Sequence, residues 1–141
     1  MGTTILCLDV GTKRVGLATS DPSQSLATPR PAIPRQGSVK AIAEITLNEE
    51  VILILVGMPY LPSGKKGSQA RLTDEFISSL EQSTKTDIAT IDERFSTKEA
   101  MRKLMTLPGG RKKIRRNDGT LDSASAAVML QSYLDNNEIK I

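Results

Sequence analysis

Apolar residues along this chain fall into two kinds of run, and the kinds alternate. Ile5 to Leu8 and Val51 to Val56 are short, continuous apolar stretches, the pattern of strands buried on both faces. Arg14 to Thr19 resumes as a strand after the turn-like Val10-Gly11-Thr12-Lys13, so Thr4–Asp9 and Arg14–Thr19 are expected to form a hairpin. Ile88 to Ile91 reads as a further short strand. Between these lie segments of helical spacing. Val39, Ile42, Ala43 and Leu47 mark one helix, with Ser38 as its N-cap, and Leu72, Phe76, Ile77 and Leu80 mark a second. Ser96-Thr97-Lys98-Glu99 has the form of a capping box opening a third helix that carries Met101, Leu104 and Met105. Pro108-Gly109-Gly110 ends it, and Leu121 to Leu134 forms the last helix. Asp21 to Arg35 holds four prolines and reads as loop, with a short edge strand near Leu26.

An antiparallel hairpin followed by strands alternating with helices predicts an α/β fold: a mixed five-stranded sheet with helices on both faces. No internal repeat, linker or change of composition divides the chain, so residues 1–141 are expected to form one domain. The longest apolar run, Val51 to Val56, is too short to cross a bilayer. Met1-Gly2-Thr3-Thr4 is not a basic segment leading into a long apolar one. A cytoplasmic location and no membrane partner are expected.

Two scarcities narrow the chemistry. The chain has no histidine, which removes Ser-His and Cys-His catalysis and imidazole metal ligands. Its one cysteine, Cys7, stands within an apolar run and reads as a core thiol, so an internal disulfide and a Cys-rich zinc site are both excluded. Any catalysis must run on carboxylates, hydroxyls, Lys, Arg or a hard metal ion. The net charge of +3 conceals a concentration: seven Lys or Arg residues and no acid lie between Arg102 and Arg116. Such a block is either a solvated loop or a contact for phosphate backbones.

In open α/β sheets, ligands collect at the carboxyl ends of parallel strands. Asp9 closes the first strand, Gly57 follows the apolar strand, and Glu93 lies just past the next, so all three meet at one sheet edge if these strands are parallel. Asp122 opens the last helix, where Ala124, Ala126 and Ala127 are small enough to let that helix lie close to the sheet. Each acid has an alternative structural role. Asp9 could fix an Asx turn, Glu93 could pair with Arg94, and Asp122 could complement a helix N-terminus. Gly11 is expected to take a positive φ, and Gly16 to allow close backbone packing. Three carboxylates at one edge repel one another, and Mg²⁺ or Mn²⁺ relieves that repulsion while activating water for phosphodiester hydrolysis without histidine.

Asp9-Val-Gly-Thr-Lys-Arg-Val-Gly16, Val56-Gly-Met-Pro59, Asp92-Glu-Arg-Phe-Ser-Thr97 and Asp122-Ser-Ala-Ser-Ala-Ala127 together resemble the YqgF family, in order and spacing, over nearly the whole chain. The family has an RNase H-like fold related to Holliday-junction resolvases and is described as a nuclease for the 5′ end of pre-16S rRNA. The resemblance implies that Asp9, Glu93 and Asp122 are the catalytic, metal-binding acids. It also implies that Lys13, Arg14 and Arg94 contact phosphates or position those acids, and that Ser96 and Thr97 are the family's hydroxyl pair. A fourth carboxylate, common in RNase H-like nucleases, has Asp92 and Asp118 as candidates.

The expected partner is therefore nucleic acid, pre-rRNA or branched DNA, with a pre-ribosomal particle as a further partner. Aromatic residues make up only 3% of the chain, which argues against extensive base stacking. Recognition is expected to run through backbone and shape, by Lys13, Arg14, Arg111, Lys112, Lys113, Arg115 and Arg116. Two rival classes remain open here: a non-catalytic RNA- or ribosome-binding assembly factor, and a phosphotransferase of the actin and sugar-kinase type, for which 141 residues are too few to build two domains around ATP.

Overall fold

The computed structural model describes residues 3–95, 97–106 and 123–139, the side chains of residues 95 and 137–139 apart. The N-terminal hairpin forms as expected, with strand β1 at Thr4–Val10 antiparallel to β2 at Arg14–Ser20. The apolar run becomes β4 (Val51–Met58), and β5 covers Asp87–Asp92. Both lie parallel to the hairpin's first strand, β4 against β1 and β5 against β4.

The proline-rich segment corrects its expected reading. It forms an eight-residue strand, β3 (Ala27–Pro34), antiparallel to β2, so the sheet runs β3-β2-β1-β4-β5. Proline is tolerated because β3 is an edge strand, where a missing N–H removes no ladder bond to an outer neighbour. Asp21 turns the chain into it, its carboxylate accepting from the N–H groups of Ser25 and Leu26 at 2.8 and 2.9 Å.

Period-two alternation divides the sheet residues between two cores. Leu6, Leu8, Val15, Leu17, Ile54 and Val56 pack against helices α1 (Ser38–Asn48) and α2 (Ser68–Glu81). Ile5, Cys7, Ala18, Leu55 and Ile91 pack against α3 (Lys98–Thr106) and α4 (Ala124–Ile139) on the other face. From Ala126 to Ser132 every residue of α4 is buried, as befits a helix lodged between a sheet and another helix.

Helix starts and faces differ from expectation in detail. Gly37, at φ +80°, stands at the cap of α1. Ser38 is instead the first helical residue, and its hydroxyl donates to the Arg35 carbonyl at 2.6 Å. Leu47, Leu72 and Met101 are exposed, whereas Thr46, Thr73 and Ala100 are buried in the same helices. The hydroxyls of Thr46 and Thr73 donate to carbonyls three and four residues back, which satisfies them away from water.

Candidate active site at the carboxyl edge of the parallel strands

The face that carries α4 is built from rows of residues two apart: Ile5 and Cys7 on β1, Leu55 on β4, Ile91 on β5. Extending each row by one more step reaches Asp9, Gly57 and Glu93. Leu8 pairs with Val56, which sets Asp9 level with Gly57, and Gly57 pairs with Ile91, so Glu93 stands two residues farther along β5's line at the same carboxyl edge, with β4 between the acids. Asp9 lies one residue inside β1, opposite Gly16 of β2, and Glu93 opens a short 3₁₀ turn, Glu93–Phe95, directly after β5.

Asp9 and Glu93 meet across β4, their carboxyl groups joined by a hydrogen bond. The missing side chain at Gly57 lets them. A Cβ there would stand 3.4 Å from Glu93 Cγ and 2.7 Å from the Met129 sulfur and methyl of α4. Burial raises the pKa of Asp9 above the ordinary carboxylate range, and its bond to Glu93 works against that rise. Glu93 is raised first by burial, then by the Asp9 charge and hydrogen bond, with Asp92 adding to it. Two half-buried carboxyls in contact cannot both ionise cheaply, which is why both are raised. The same burial, with Asp9 behind it, pushes the Cys7 thiol up and leaves it inert.

Hard, partly desolvated oxygens that repel when ionised suit Mg²⁺ or Mn²⁺, so the donor chemistry fits the ion the sequence implies. Among the described residues no cluster of three potential metal ligands occurs. The third acid expected from the sequence, Asp122, lies outside the described residues, as do Ser96, Asp118, Arg111, Lys112, Lys113, Arg115 and Arg116. Ser123, the next residue after Asp122, is buried, and its hydroxyl accepts from the Leu17 N–H at 2.9 Å.

The other expected site residues separate into two groups. Lys13 and Arg14 flank a cleft of about 450 Å³ that Asp9, Gly11, Thr12 and Gly16 complete. Arg94 turns instead to Asp92, with Nη2 to Oδ2 at 2.7 Å and the Asp92 carboxylate also accepting from the Arg94 backbone N–H at 2.9 Å. The partner of Arg94 is thus Asp92, not Glu93, and the Asp92 carboxyl is held below its usual range by that guanidinium. Thr97 caps α3: its hydroxyl oxygen accepts from the Ala100 N–H at 3.0 Å, so the cap falls one residue later than the sequence pattern placed it.

The turn between β1 and β2 also corrects one expectation and reveals an unforeseen residue. Gly11 does not take a positive φ. A Cβ on Gly11 would stand 2.8 Å from the Arg14 carbonyl, which accepts the Gly11 N–H at 2.9 Å. Arg35 clamps this turn: Nη1 donates to the Gly11 carbonyl at 2.9 Å, its N–H donates to the Lys13 carbonyl, and its guanidinium lies 5.5 Å from the Phe76 ring centre. Arg35 ends a proline-rich stretch, and no local pattern marked it.

The five-stranded mixed sheet with helices on both faces is an RNase H-like fold, shared with RuvC. Thermus thermophilus RuvC superposes with a TM-score of 0.63 at 11% identity, over 95% of this chain and 96% of that one. Fowlpox virus resolvase superposes with a TM-score of 0.58 at 10% identity, over 94% and 99%. At the level of sequence, the profile described as "RuvX: Holliday junction resolvase" matches residues 3–136. Relatives named "Putative pre-16S rRNA nuclease" include those of Chlorobaculum tepidum, 36% identical over 93% of this chain and 92% of the relative, and of Chelativorans sp., 39% identical over 91% and 80%. The chain belongs to the RuvX (YqgF) family.

Proposed function

We propose that this protein is a divalent-metal-dependent endonuclease that hydrolyses nucleic-acid phosphodiesters and processes the 5′ end of pre-16S rRNA in the cytoplasm, as one domain spanning residues 1–141. The observation that carries this reading is the hydrogen-bonded Asp9–Glu93 pair at the carboxyl edge of the parallel strands. It is supported by the names of the relatives and by the fold shared with a RuvC that binds a Holliday-junction substrate.

Asp9, Glu93 and Asp122 would hold the ion. A bound Mg²⁺ or Mn²⁺ supplies Lewis acidity toward a phosphodiester and lowers the pKa of water. The protein's own groups do the rest. Asp9 and Glu93 are held half-buried at the ends of the β1 and β5 rows, on either side of Gly57, which fixes where their oxygens stand. Lys13 and Arg14 take the flanking phosphates along the cleft, and the Arg111 to Arg116 segment extends that contact to the substrate backbone. Arg94 and Asp92 brace the turn from which Glu93 projects.

Purified protein incubated with labelled precursor 16S rRNA and with a four-way DNA junction, in Mn²⁺, Mg²⁺ or EDTA, tests this. Metal-dependent cutting of the rRNA is expected, lowered more than about 100-fold by Asp9→Asn. Preferential cutting of the junction would reassign the substrate to branched DNA. Binding without cutting would make the protein a non-catalytic assembly factor.

A further inference from the structure

The loop that follows β4 contributes neither acid of the site, yet it leaves from the strand between them. Met58 pairs with Asp92, and Tyr60 comes two residues later. The loop is closed on itself. The Leu61 N–H donates to the Lys65 carbonyl at 2.9 Å and the Gly64 N–H to the Leu61 carbonyl at 2.8 Å, with Gly64 at φ +86°. A Cβ on Gly67 would stand 2.9 Å from the Leu61 side chain, so the loop's two ends pack together. Tyr60 is thereby fixed at the strand end by its own N–H, which donates to the Met58 carbonyl at 3.0 Å.

The chain has two tyrosines, two phenylalanines and no tryptophan. Phe76 of α2 is buried in the core between that helix and the sheet, Tyr133 packs against the opposite core, and Phe95, whose side chain is outside those described, ends the turn that opens with Glu93. Tyr60 belongs to neither core; it is half-buried at the catalytic edge. It also lies within electrostatic reach of two cations, Arg94 and Lys66. Arg94 is paired to Asp92 at 2.7 Å and Lys66 to Asp74 at 2.9 Å, and both cationic side chains stay about half exposed, where a phosphate can reach them. A half-buried aromatic side chain two residues past the strand that separates Asp9 from Glu93, with two exposed cations in reach, has the chemistry to take an unpaired nucleotide.

We propose that Tyr60 is a nucleobase platform: it stacks one unpaired base beside the phosphodiester held over Asp9 and Glu93, and so selects single-stranded nucleic acid. This rests on the nuclease reading and adds the strandedness of its substrate. A base inside a duplex presents only its edges, so stacking on Tyr60 requires a nucleotide out of the helix. The scarcity of aromatics fits one stacked base rather than a run of them.

Full-length protein carrying Tyr133→Phe has Tyr60 as its sole tyrosine, so its emission reports on this position alone. In EDTA, where nothing is cut, a short single-stranded RNA should quench that emission, and the same sequence as a perfect duplex should not. Tyr60→Ala should weaken single-strand binding about 5- to 150-fold, Tyr60→Phe less than about 3-fold, and neither should change duplex binding. Undiminished single-strand binding by Tyr60→Ala, or unquenched emission, overturns the platform and leaves the nuclease standing if Mn²⁺-dependent cutting persists. Failure of the parent protein to bind either form overturns both readings.

Discussion

Asp9 and Glu93 make the metal-free protein depend on pH in a direction opposite to that of ordinary salt-bridged acids. Both carboxyls titrate above their usual range, so the folded state holds a proton that the unfolded chain releases. Stability is therefore full below the unfolded carboxylate range near pH 4 and is lost as pH rises through the raised folded values. Asp9→Asn or Glu93→Gln should raise the melting temperature in EDTA at neutral pH, with the gain vanishing near pH 3. Thermal melts across that range check it, and Mn²⁺ should stabilise the parent more than either variant. Gly57 is the second residue-scale constraint. Gly57→Ala should cost about 1–3 kcal/mol in urea unfolding and slow cutting, because its Cβ meets Met129 and Glu93 Cγ. The stability cost should shrink in a Met129→Ala background. Asp9 and Glu93 were legible in the sequence because strand ends carry side chains to one edge. Arg35 was not, because its role lies in bonds to the backbone of a turn more than 20 residues earlier.

Helix α4 acts as a clamp on the antiparallel half of the sheet. Ser123 accepts from the Leu17 N–H, next to the register shift between Val15 and Leu17. Fully buried Gln131 accepts from the Ala27 N–H at 2.9 Å and donates to the Ser25 carbonyl at 2.9 Å and to Asp135. Ser123→Ala and Gln131→Leu should each destabilise by about 1–3 kcal/mol, read by chemical denaturation, because each strands a buried backbone N–H. This clamp explains why β3 was not legible as a full strand. Its prolines argue against one, and the partners that complete its entrance lie about a hundred residues downstream. Helix faces were legible to within one position. Buried Thr46 and Thr73 look polar in a one-dimensional pattern, yet each satisfies its hydroxyl on its own helix, so the apolar stripe drifts away from Leu47 and Leu72.

Across the whole molecule, the alternation of strands and helices was enough to anticipate the parallel order and the convergence of Asp9, Gly57 and Glu93. The basic segment is a matter of overall charge, and its contribution is expected in the salt dependence of binding. Neutralising Arg111, Lys112, Arg115 and Arg116 should flatten the slope of log affinity against log salt, measured by titration at several ionic strengths. The change should be about 0.7 for each phosphate of a single strand that the protein ceases to neutralise. An unchanged slope would remove that segment from the binding surface. The α4 clamp has a further consequence in time. The side chains that complete the hydrogen bonds of the Leu17 and Ala27 N–H groups are synthesised 106 and 104 residues after them. A nascent chain thus exposes an unfinished edge until α4 emerges. Assembly of this fold, and of the acids that depend on it, waits on a helix made long after the hairpin it completes.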